Sequence, residues 1–193
     1  CGTLGVLLCA RDPSCTVAGV ELRPEACRAA QENVRINGLE ERLTVLEGDV
    51  RHIRALLPAG GFSCVIANPP YFPVGSGKAG RNSAVARTEQ CLTLAELCAA
   101  AAWLLPPGGR FALVHRAERL CDLLCALRAA GLEPKRVQPV RHNAESPVSL
   151  LLLEARRGGR PGLTLLPELL EYETDGTERE ALHAARHAKG DCP

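Results

Sequence analysis

The sequence predicts a three-layer α/β fold with a mainly parallel sheet and an antiparallel hairpin at one edge. Two observations carry this. Short apolar runs rich in β-branched residues alternate with longer runs of helical period, the pattern of strands joined by helical crossovers. The last two strand-like runs, within Lys135 to Arg141 and Val148 to Ala155, have no helix between them and so pair as a hairpin.

Each element has its own signal. "TVAGVE", Thr16 to Glu21, is a short buried strand. From Pro24, "PEACRAAQENVRINGL" is a helix with proline at its start, Gly38 as its stop, and Ala26, Ala30 and Val34 on one face. "RLTVLEGD", Arg42 to Asp49, is a strand ending on an acid, and Val50 to Leu57 is a short helix before Pro58, Gly60 and Gly61. "FSCVIA", Phe62 to Ala67, is the next strand. Thr93 and Glu96 form a capping box for a helix that Pro106 ends. "RFALVHR" is a strand and "AERLCDLLCALRAAG" a helix closed by Gly131. The division expected is a domain over 1–157 and a basic extension over 158–193 packing on it.

At 193 residues, with 46% hydrophobic and 23% charged, the chain can bury a core. No apolar run reaches the roughly 18 residues of a membrane span, and no leader pattern is present, so a cytoplasmic setting, with no membrane partner, is expected. The chain contains no methionine and opens at Cys1 inside a glycine-rich turn. It therefore reads as a fragment of a longer protein, lacking a first strand.

The ten cysteines are scattered with no CxxC pair, which fits buried thiols better than zinc or a disulfide framework. Cys121 and Cys125 read as one inward helix face. His183, His187 and Cys192 read as a polar tail, and no metal is expected. The net charge of +1 favours no polyanion, so any such site must be local.

In a sheet of this kind ligands sit beyond the carboxyl ends of the strands. "CGTLGVLL" places Gly2 and Gly5 where a turn feeds a helix and amides are free for a ligand, though a plain helix start accounts for them too. Glu21 ends a strand where a carboxylate can accept from ribose hydroxyls, or can be merely solvated. Asp49 suits an adenine amino group and equally an N-cap for the helix near Val50. After Ala67 come Asn68, Pro69, Pro70 and Tyr71. Each proline fixes φ and lacks an N–H, so the carbonyls here are acceptors held in fixed directions. The Asn68 side-chain oxygen and the Pro69 carbonyl could grip a planar NH₂ group while Tyr71 offers a stacking face worth about 1–3 kcal/mol. A turn whose aromatics plug the core fits the same residues.

Glu21, "EGD" at Asp49 and "NPPY" at a strand end together resemble the class I S-adenosylmethionine-dependent methyltransferases, which have a Rossmann-like sheet, and in particular those that methylate planar exocyclic or amide nitrogens. With "ARTE", "PPGGRFALVHRAERL" and "LLLEARRGGRPGLTLLPELLEY", the chain is similar to bacterial adenine-N6 methyltransferases acting on tRNA(Val) beside its anticodon. The resemblance implies S-adenosylmethionine as cofactor. Gly2, Gly5, Glu21, Leu22, Asp49, Val50 and Asn68 would line its site. Asn68, Pro69, Pro70 and Tyr71 would hold a flipped adenine. It also implies tRNA as partner of a monomeric enzyme, with Lys78, Arg81, Arg87, Arg156, Arg157 and Arg160 as phosphate contacts. Rival readings are a methyltransferase acting on a release-factor glutamine or on a ribosomal RNA guanine, and an RNA-binding fragment without catalysis.

Overall fold

The structure is a computed structural model and describes residues 2–69 and 92–173 with Asp175 and Thr177. The chain divides into two compact units, Cys1–Leu56 and Leu57–Arg179. No described helix is long and apolar enough to cross a membrane.

The first unit holds α1 (Thr3–Arg11), β1 (Val17–Glu21), α2 (Pro24–Ile36), β2 (Leu43–Glu47), a 3₁₀ turn (Val50–His52) and the single helical turn α3 (Ile53–Leu56). β1 and β2 are parallel, with Val17 opposite Leu43 and Glu21 opposite Glu47. α2 starts on Pro24 and is followed by Gly38 at φ 62°, a left-handed stop that suits glycine. Its buried face is Ala26, Cys27, Ala30 and Val34, the last three of which meet Cys9, Leu43 and Val45 in one apolar cluster.

Arg42 fixes the far end of α1. Its guanidinium donates to the carbonyl of Cys9 at 2.5 Å and to that of Asp12 at 3.2 Å. The carboxyl end of α1 thus lies at the start of β2, so its amino end lies toward the end of the strands that carries Glu21.

The second unit holds β3 (Cys64–Ala67), α4 (Leu94–Leu104), β4 (Arg110–Arg116), a 3₁₀ turn (Ala117–Arg119), α5 (Leu120–Ala129), β5 (Leu132–Arg141), β6 (Val148–Arg157), β7 (Thr164–Leu165) and β8 (Leu169–Leu170). The sheet order is β3-β4-β6-β5-β7, with β8 also on β5. β3 and β4 are parallel, and β6 runs antiparallel between β4 and β5. α4 and α5 cover one face, burying Phe111, Leu113, Leu123, Leu127, Leu151 and Leu153 among others. The capping box forms: Thr93 Oγ1 accepts from the Glu96 amide at 3.2 Å, and the Thr93 amide donates to the Glu96 carboxylate at 2.8 Å. Trp103 donates its indole N–H to the Leu57 carbonyl at 3.2 Å, tying α4 to the segment before β3.

The hairpin of β5 and β6 lies at one side of the sheet as expected, and the two-residue β7 and β8 add to the outer edge of β5 through bonds such as the Leu166 amide to the Val137 carbonyl. Two expectations are corrected. The helix expected over Val50 to Leu57 is a 3₁₀ turn plus one helical turn. Cys121 and Cys125 face outward, since the buried stripe of α5 is Leu123 and Leu127.

Candidate active site

In the first unit the predicted residues gather at the carboxyl ends of β1 and β2. Gly2 is the N-cap of α1 at φ 73°, a conformation that L side chains disfavour, and a Cβ there would stand 3.0 Å from the Ala30 Cβ. No side chain caps α1 and its first turn holds no acid, so its leading amides are donors without a capping side chain. Gly5 has a packing reason of its own: a Cβ would stand 2.8 Å from Leu43 Cδ1.

Glu21 ends β1 and is half-buried, and its carbonyl accepts from the Gly48 amide at 3.0 Å. Leu22 beside it is exposed. β2 stops at Glu47, so Asp49 stands two residues beyond it. There Asp49 caps the 3₁₀ turn through the Arg51 amide at 2.9 Å, and its other oxygen accepts from Arg51 Nε at 2.9 Å. The Arg51 hydrogen bonds hold the Asp49 carboxyl below its usual range. Half-buried Val50 follows it.

In the second unit β3 delivers Asn68 to the surface immediately after Ala67, while Pro69 turns inward and is buried. Pro70, Tyr71, Lys78, Arg81 and Arg87 lie outside the described residues.

The basic tail residues sit elsewhere. Arg156 is opposite Arg110, and Ala67 is opposite Leu113, so Arg156 stands about 10 Å back along the strands from the end of β3. Arg157 is opposite Leu132 and donates to the Leu105 carbonyl, which caps α4. Arg160 is exposed, and its carbonyl accepts from Lys135 Nζ at 3.0 Å.

Sequence reasoning missed Arg42 and Arg51, whose roles depend on which carbonyl or carboxylate lies in reach. It also passed over His115, fully buried on β4 in register with Leu151. The alternation of "RFALVHR" places His115 on the same face as Phe111 and Leu113, which was the available signal. Among the described residues no cluster of three or more metal-ligating side chains exists.

Glu21 at the end of β1, Asp49 just beyond β2 and a glycine-led helix start without a capping side chain fit the nucleoside and the charged end of S-adenosylmethionine. Arg51 takes part of the accepting capacity of Asp49.

The fold itself has close counterparts. The chain superposes on the crystal structure of a predicted O-methyltransferase from Agrobacterium tumefaciens with a TM-score of 0.79 at 20% identity, over 98% of this chain and 85% of that one. The architecture is therefore that of the Rossmann-like class I methyltransferases. Residues 1–125 match the family model for the methyltransferase small domain, and the chain belongs to that family.

Two relatives show what such chains are similar to. A tRNA1(Val) (adenine(37)-N6)-methyltransferase of Porphyromonas gingivalis is 30% identical over 157 residues, 80% of this chain and 62% of that protein. A 4-amino-L-phenylalanine/4-methylamino-L-phenylalanine methyltransferase of Streptomyces pristinaespiralis is 33% identical over 142 residues, 67% of this chain and 46% of that protein. The chain thus spans less than two thirds of the length of either relative.

Proposed function

We propose that the protein containing this chain transfers a methyl group from S-adenosylmethionine to the exocyclic N6 amine of an adenosine in tRNA, next to the anticodon of tRNA(Val). The observation that carries the reading is Asn68 presented at the carboxyl end of β3 with Pro69 buried behind it, in a chain of this family. The tRNA substrate is supported by the name of the Porphyromonas relative. Both relatives' names point to an amine nitrogen on a planar ring, which suits an acceptor pair better than an attacking base.

The cofactor, when bound, supplies a methyl group on a positively charged sulfur. The chain's own work is positioning. The Asn68 side-chain oxygen and the Pro69 carbonyl accept the two amine hydrogens and so aim the nitrogen lone pair. Tyr71 stacks on the base and holds it out of its strand. Glu21 accepts from the ribose hydroxyls and Asp49 from the adenine amino group, with Leu22 and Val50 against the base and the amides after Gly2 toward the charged end. The excess proton leaves to solvent, so no strong base is needed. Phosphates would meet Lys78, Arg81, Arg87, Arg156 and Arg160. A monomer working in the cytoplasm, without metal, completes the reading.

A second reading, methylation of a small aromatic amine, is favoured by the Streptomyces relative. Nucleoside mass spectrometry of tRNA from cells with and without the gene decides between them. Loss of N6-methyladenosine from tRNA(Val) on deletion is expected; an unchanged level would leave the small-amine reading.

A further inference from the structure

On the face of the six-stranded sheet away from α4 and α5, the two ends of the strands differ in charge. On it Arg110 of β4 lies directly across from Arg156 of β6, and Arg136 of β5 lies across from Glu154 in the next row. All three arginines are exposed, while their strand neighbours Phe111, Ala155 and Val137 point into the core. Lys135, the residue before Arg136, donates to the Arg160 carbonyl at 3.0 Å, and Arg160 is exposed. Glu154 serves two cations, pairing with Arg136 and standing 3.7 Å from Arg156, and Glu133 is paired with Arg128 at 3.3 Å. The three strands hold no acidic residue other than Glu133 and Glu154, so this end carries a positive excess.

The other end of the same strands is different. There β5 finishes at Arg141, whose guanidinium is held by Glu168, with Glu145, Glu171 and Glu173 close by in sequence or register. The net charge of +1 conceals this separation. Asn68 follows Ala67, which is three residues along from the Arg110 row, about 10 Å, and on the side toward the acidic end.

We propose that Arg110, Arg136 and Arg156, with Lys135 and Arg160, form a docking surface for the phosphate backbone of an RNA segment remote from the methylated base. This rests on the tRNA reading above and deepens it. Exposed guanidiniums one strand spacing apart can each meet a separate phosphate, and such contacts position a nucleic acid without reading its sequence. Arg157 is not among them, because alternation along β6 sets it on the opposite face, in register with buried Leu132, where its guanidinium donates to the Leu105 carbonyl. The row lies about 10 Å back along the strands from Ala67, so we assign its contacts to nucleotides beyond the one held at Asn68.

The test is the salt dependence of tRNA affinity in the full-length protein, followed by filter binding with an unmodified tRNA(Val) transcript. For Arg110→Gln/Arg136→Gln, the slope of log Kd against log salt is expected to fall by about two, one for each cation removed. Affinity for S-adenosylmethionine, read by calorimetry, stays within twofold. Arg110→Lys/Arg136→Lys, which keeps both charges, retains the wild-type slope. An unchanged slope in the glutamine pair overturns the proposal, as does equal loss in the lysine pair, since that would indicate packing rather than charge. A wild-type protein that binds no tRNA at all would instead remove the tRNA reading, and this surface with it.

Discussion

Asn68 and Asp49 show how differently a single strand-end residue can be employed. Asn68 is exposed after β3, and the proposed function gives it the substrate amine. Asn68→Ala in the full-length protein is therefore expected to lower kcat by at least a hundredfold while S-adenosylmethionine affinity, measured by calorimetry, changes less than threefold. Unchanged turnover would refute the role. Asp49 does structural work visible in the fold: it caps the 3₁₀ turn and binds Arg51. Its folded pKa is depressed, so its stabilisation is present above the unfolded value near 3.9 and is lost as pH falls through the lower, folded value. Asp49→Asn keeps a capping oxygen and loses the charge. Urea midpoints should show the variant less stable by about 0.5–1 kcal/mol at pH 7, with the gap closing below roughly pH 4. A gap independent of pH would assign the effect to the cap alone.

At the scale of elements, ends decide more than middles. α2 and α4 start and stop where Pro24, Gly38, Thr93 and Pro106 indicate, because those residues act on their own backbone. Thr93→Ala removes a reciprocal cap from α4, the helix that carries Leu97, Cys98 and Ala101 into the core. A loss of about 0.5–2 kcal/mol in urea unfolding is expected, and Thr93→Ser should recover most of it. α1 is held otherwise. It has no cap at its start, and its end is closed by Arg42 from 31 positions beyond Arg11, a contact that helical periodicity cannot announce. β7 and β8 are similarly silent in sequence: two residues each, they form only because β5 offers them an edge.

At the scale of the whole molecule, two cores and a divided charge distribution stand out. Each unit buries its own apolar cluster, one around Cys27 and Val45 and the other around Phe111 and Leu127. The cysteines follow this division between interior and surface. Burial pushes the Cys98 thiol up to about 12, whereas Cys121 and Cys125 are exposed on α5. Maleimide labelling of the native protein at pH 7.5, mapped by peptide mass spectrometry, should modify Cys121 and Cys125 well before Cys27 or Cys98. Simultaneous labelling of all four would contradict the packing of both cores.

The sequence by itself determined the alternation of strands and helices, the helix stops, the antiparallel pairing of β5 with β6 and the amide-proline corner at Asn68. All of these are written in nearest-neighbour chemistry: alternation of apolar residues, missing N–H groups and turns that glycine permits. Part of the candidate site was legible for the same reason, since strand ends mark themselves. Only the tertiary structure decided that Asp49 lies beyond β2 and pairs with Arg51, that Arg157 closes α4, and that Cys121 and Cys125 look outward. It also showed that Arg110, Arg136 and Arg156 share one face. Those facts depend on which strands become neighbours and in which register, and register is set by long-range packing that no local window of sequence contains.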